Sequence, residues 1–171
     1  MPERVYNNAS STASRWRVTR PELFDLYQRC KPIVGKYDDD SLISIGICVK
    51  PNKVLEKMSL FTTRAFHDNE AIIMLPFNKC NFKTEFETMH HAKYTFKIPR
   101  YEKEKLVVDT WDIGKSNAVR FLRSVNEFEE EDEEELEPNV MIEWYSGIGV
   151  VCATRYIDSD EELISDYEMQ H

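Results

Sequence analysis

No stretch of this chain reaches the roughly 18 consecutive apolar residues that read as a membrane-spanning helix. No apolar run follows a basic start, so no secretory leader is expected, and the default expectation is a soluble intracellular protein. Closely spaced cysteines are missing too. Cys30, Cys48, Cys80 and Cys152 stand far apart, without the dense pairing of a disulfide scaffold or the short ligand pairs of a zinc centre. His90 and His91 are adjacent, and on a strand such neighbours point to opposite faces, so no metal site is expected. A basic stripe is also absent. The net charge is −9, and residues 127–137 alone hold nine acidic side chains, which leaves the rest of the chain neutral. Affinity for DNA or RNA rests largely on clustered cations, so a direct nucleic-acid partner is not expected, nor is a membrane.

What is present is enough apolar material for one domain: 171 residues, 42% hydrophobic and 12% aromatic. Residues 1–18 are polar and aperiodic and read as a flexible arm. Residues 19–41 read as a flanking helix and loop. Thr19-Arg20-Pro21-Glu22 has the form of a capping box, Leu23, Leu26 and Tyr27 follow at helical spacing, and Pro32 lies just beyond. From residue 42 onward the pattern becomes short strands rich in Val, Ile, Thr, Phe and Tyr, at 42–49, 58–66, 71–77, 93–98, 105–111, 139–145, 149–157 and 161–167. Asp68-Asn69-Glu70 and Asp158-Ser159-Asp160 read as tight turns, and Ser146-Gly147-Ile148-Gly149 as a hairpin bend. A short helical piece is expected over 117–124. The chain is mainly β.

Four groups of residues then occur in a telling order. Leu60-Phe61-Thr62-Thr63-Arg64-Ala65-Phe66 precedes Asn69-Glu70-Ala71-Ile72-Ile73. Val107-Val108-Asp109-Thr110 leads through Gly114 to Asn117-Ala118-Val119-Arg120-Phe121-Leu122. Pro138-Asn139-Val140 comes next, and the chain closes on Arg155-Tyr156-Ile157, Glu161-Glu162-Leu163 and Asp166-Tyr167. This series resembles the SET domains of protein-lysine methyltransferases over residues 42–167. The resemblance implies several short antiparallel sheets around a threaded, knot-like core. It also implies a site for S-adenosylmethionine at the positions of Asn117, Arg120, Phe121, Arg123 and Ser124, with Tyr167 as the catalytic tyrosine beside the target lysine. Tyr167 also reads simply as a strand-end aromatic packed in the core.

The chain departs from the family where the methyl donor would be held. Lys57 and Ser59 stand where the family has glycines, which allow close backbone approach. Arg123 and Ser124 replace its Asn-His pair, and Leu75-Pro76-Phe77 replaces its strand tyrosine and glycine. A guanidinium at position 123 wants several acceptors, so Arg123 reads either as filling the donor space against a carboxylate such as Glu143 or Asp166 or as a plain surface arginine. An acidic insertion spans 126–137, and its Glu129, Glu130, Glu131, Asp132, Glu133, Glu134 and Glu135 read either as a solvated loop or as a partner-binding clamp for basic histone tails. Arginine at the asparagine position resembles the divergent class of the fungal SET-complex and mixed-lineage-leukaemia-type regulator subunits, which implies a nuclear scaffold in histone-deacetylase complexes. PR-type SET domains also lack the Asn-His pair, and some are active. Beside an unrelated β-rich interaction domain, two readings follow. One is a non-catalytic module binding histones or chromatin-complex subunits, with no cofactor; the other is a lysine N-methyltransferase that uses S-adenosylmethionine in a remodelled pocket.

Overall fold

Short strands cannot bury enough surface alone, so they are stable only where several edges share one core. The computed structural model describes residues 9–52, 57–81, 84–101, 103, 106–125 and 137–166. Within them β1 (Ile47–Asn52) and β2 (Lys57–Thr62) form an antiparallel pair, in register from Ile47 opposite Thr62 to Asn52 opposite Lys57. A five-stranded sheet joins β3 (Ala71–Met74), β7 (Arg123–Ser124), β8 (Val140–Tyr145), β9 (Ile148–Ala153) and β10 (Ile164–Ser165) in the order β3-β9-β8-β10-β7. A third sheet holds β4 (Lys79–Asn81), β5 (Thr95–Lys97) and β6 (Leu106–Asp109) in the order β4-β6-β5. The mainly β architecture of several small sheets is as the sequence indicates.

The hairpin between β8 and β9 turns on Ser146 and Gly147, whose φ angles are 53° and 80°. Two consecutive positive φ angles match the two-residue turn whose twist suits antiparallel strands. β9 is buried along its whole length, as a central strand covered on both faces must be.

The closing segment is inserted rather than added at an edge. β10 lies between β7 and β8, with Ile164 opposite Arg123 and Ser165 opposite both Ser124 and Val140, and it runs parallel to each. The sheet is therefore mixed, where antiparallel sheets were expected. On its other side the same segment joins β2: the amide of Leu163 donates to the Leu60 carbonyl and that of Thr62 to the Glu161 carbonyl, both at 2.9 Å. Asn139 locks the insertion. Its side chain donates to the Glu162 carbonyl at 2.8 Å and accepts from the Ile164 amide at 2.8 Å, and it is 2% exposed. This is the threaded core.

Helices cover one side. α1 (Ala9–Thr19) lies in the stretch expected to be a flexible arm. The reason is Trp16, which is buried and meets Tyr145 edge-on with ring centroids 6.2 Å apart. α2 (Pro21–Cys30) buries Leu23, Leu26, Tyr27 and Cys30, one stripe at helical spacing. Its start is not capped by Thr19. That residue sits in the last turn of α1, where its hydroxyl donates to the Arg15 carbonyl at 3.0 Å, and the cap position belongs to Arg20. α3 (Asp39–Leu42) is a single turn, capped by the Asp38 carboxylate accepting from the Ser41 amide. α4 (Glu85–His91) was not foreseen, and it opens on Thr84, whose hydroxyl accepts from the Glu87 amide at 3.1 Å. The helical piece at 117–124 is a 3₁₀ turn, Ala118–Phe121, that passes into β7. No helix among the described residues is long and apolar enough to cross a membrane.

Candidate functional site

Asn117 starts the 3₁₀ turn. Its side-chain oxygen accepts from the Val119 amide at 3.0 Å, and its side-chain nitrogen donates to the Met74 carbonyl at 2.8 Å. With both ends committed to backbone and 2% exposure, it ties the turn to β3. Arg120 follows on the same turn. Its Nε donates to the Thr110 carbonyl at 3.1 Å and Nη2 to the Trp111 carbonyl at 3.3 Å. The guanidinium lies 4.6 Å from the centre of the Tyr94 ring and 5.1 Å from that of Phe121. Phe121 in turn meets Tyr37 edge-on at 5.7 Å.

Arg123 turns inward. Its side chain is 5% exposed, and Nη1 lies 3.3 Å from Oε1 of Glu162, which also accepts from the Asn52 side chain at 2.9 Å. Its carboxylate is thus Glu162, and not Glu143 or Asp166. Glu143 is engaged elsewhere: the Tyr145 hydroxyl donates to it at 2.5 Å, an interaction that pushes the Tyr145 phenol up to about 12. The physical reason is the threading, which carries Glu162 past β2 and alongside β7. Ser124 is buried in the same short strand.

Of the expected donor positions, Arg120, Phe121 and Arg123 line one cleft of about 220 Å³, and Asn117 and Ser124 do not. One wall is Lys57, Met58 and Ser59 of β2; the other is Arg120 to Arg123, with Lys93 and Tyr94 closing the end. The two residues at the expected glycine positions therefore do face the residues of the expected donor motif. Lys57, Lys93, Arg120 and Arg123 all line the cleft, and no carboxylate is among the described residues that do so. Lys93 and Tyr94 were missed by the sequence reading, since nothing local in their strand-like run marks them. Tyr167 and the acidic residues Glu129, Glu130, Glu131, Asp132, Glu133, Glu134 and Glu135 lie outside the described residues.

A second opening, of about 290 Å³, lies between α2 and the main sheet and is lined by Glu22, Asp25, Glu70 and Glu143. Arg29 pairs with Asp25 and Arg64 with Glu70, so its acidity is partly neutralised. The cysteines form no cluster: all are free thiols, and burial pushes Cys30 up to about 11 and Cys80 and Cys152 up to about 12. Thiols held neutral in this way are poor nucleophiles and poor metal ligands at neutral pH. His90 and His91 sit on a helix rather than a strand, and Nδ1 of His91 lies 3.1 Å from the Asp109 carboxylate.

By sequence, the chain matches no family model and no curated protein. By structure, it is similar to the methyltransferase domain of human PR domain-containing protein 2, with a TM-score of 0.56. The match covers 79% of this chain and 86% of that one, at 14% identity. The fold is SET-like. At that identity the likeness concerns the path of the chain and says nothing of which side chains it carries. The SET-like fold does account for the inserted β10 and for the meeting of β2 with the 3₁₀ turn at one cleft.

Proposed function

We propose that this chain is a divergent, non-catalytic SET-like domain that serves as a protein-binding module in a nuclear, chromatin-regulating complex. The observation that supports it is the lining of the cleft. Where the family would hold S-adenosylmethionine, this chain presents Lys57, Lys93 and Arg120, together with Arg123 in its pair with Glu162. The donor carries a sulfonium, an ammonium and one carboxylate, so a cleft lined by cations offers a partner to its carboxylate but places like charge beside its two cationic groups, each such contact costing a few kcal/mol at a protein-surface dielectric. The cleft's volume of about 220 Å³ also falls below the roughly 300–1,000 Å³ of ordinary small-molecule sites. Ser59 and Arg123, both buried, fill space that glycine and asparagine would leave open. The residues present do not fit the donor. Membership of the divergent class with arginine at this position, and with it a histone-deacetylase complex and histone or subunit partners, is supported by Arg123 at its motif position.

Thermal denaturation with S-adenosylmethionine tests this reading. A ligand that binds only the folded state adds about 2.7 kcal/mol at 100 times its Kd. For a domain of this size that moves Tm by roughly 5–10 °C. The expected result is no saturable shift, and a shift of that size would overturn the proposal. The second reading is a lysine N-methyltransferase with a remodelled pocket, favoured by the structural neighbour's being a methyltransferase domain. Methyl transfer from labelled donor to histone peptides would establish it.

A further inference from the structure

The cleft differs from a merely degraded site in two ways. Its positive charge is organised: the Arg120 guanidinium is held in place by two carbonyls and two aromatic rings, partners that fix its position without cancelling its charge. Lys93, in the same lining, is exposed. Tyr94 in its lining is also the first ring of an apolar row. Tyr94 meets Trp111 at 5.4 Å, Trp111 meets His90 at 4.5 Å, and His90 stacks on Phe86 at 5.7 Å. Along this row Phe86 is 75% exposed and Trp111 38%, and Met89 beside them is 70% exposed. Isolated exposed apolar residues need no explanation, but a contiguous aromatic row ending at a cationic cleft does.

Resting on the reading of this domain as a protein-binding module, we infer that the cleft and the aromatic row together receive an acidic peptide segment of a partner protein. Its carboxylates lie against Lys93 and Arg120, and its aromatic or aliphatic side chains lie on Trp111 and Phe86. Guanidinium and ammonium groups take carboxylates through charge-assisted hydrogen bonds, and the neighbouring rings supply the apolar anchors that dominate peptide affinity. Nucleic acid is the poorer occupant, because outside its acidic run the chain's basic side chains are balanced by an equal number of acidic ones. A basic histone tail is repelled from the cleft by the same charges, so the segment received here comes from another subunit.

Fluorescence polarisation of the full 171-residue chain with a labelled peptide of alternating Glu and Phe, and with its Gln-for-Glu counterpart, decides the matter. The Glu peptide is expected to bind at least about tenfold more tightly, with affinity falling as salt rises. Lys93→Glu and Phe86→Ser change exposed side chains and are expected each to weaken binding about tenfold while leaving the melting curve unaltered. Equal binding of the two peptides, or indifference to both substitutions, overturns the inference. Displacement by inorganic phosphate as complete as by unlabelled peptide assigns the cleft to a small anion and overturns it too. Failure of the peptide together with a donor-free melt rejects this inference alone, whereas saturable donor binding that excludes the peptide rejects the module reading itself.

Discussion

Arg123 and Glu162 form a pair whose side chains are 5% and 15% exposed, with Asn52 completing the cluster. Two charges withdrawn from water this far need partners, and removing Arg123 takes away the cation beside the Glu162 carboxylate. Arg123→Met is therefore expected to destabilise the fold by about 3–5 kcal/mol in urea unfolding. Adding Glu162→Gln removes the stranded charge while keeping an acceptor for Asn52, and should restore most of that loss. A double variant no more stable than the single one would show that the pair is not coupled. The sequence marked Arg123 as the residue that needs acceptors, but named the wrong carboxylate. Glu143 and Asp166 were candidates by charge alone; Glu162 is chosen by strand order, which no local pattern encodes.

At the scale of elements, the strand runs were legible and the helix starts were only partly so. Two threonines, each three residues ahead of a glutamate, have the form of a capping box, yet only Thr84 caps a helix. Thr19 lies within α1 and turns its hydroxyl back to Arg15. The polar composition of residues 9–19 hid that helix, because it is held by a few buried contacts instead of a broad apolar stripe. Trp16→Ala is expected to cost about 3–5 kcal/mol, the usual loss for a buried aromatic, and to move the urea midpoint. A change under about 0.5 kcal/mol, the range of ordinary surface substitutions, would instead place α1 outside the cooperative fold.

For the whole molecule, the inserted β10 makes residues 163–165 part of the interior. Ile157, Leu163 and Ile164 are buried, and Leu163 is bonded to β2 while Ile164 faces β7. Removing residues 160–171 takes away a strand with neighbours on both sides, unlike trimming a sheet edge. The truncated chain is expected to lose cooperative urea unfolding and near-ultraviolet circular dichroism, whereas retention of both would contradict the threaded arrangement. The same segment bonds to both β2 and β7, and so sets β2 beside the 3₁₀ turn that leads into β7 and builds the cleft.

The sequence by itself determined that the chain is mainly β and which turns bend it. Those properties are local: alternation and turn chemistry are both carried by neighbours along the chain. Tertiary structure alone decided that β10 runs parallel between two earlier strands, that Arg123 pairs with Glu162, and that Lys93 and Tyr94 close the cleft. These depend on segments tens of residues apart finding one register. That register is set by the burial of a shared core and the hydrogen bonds of Asn139, not by any preference within a single segment.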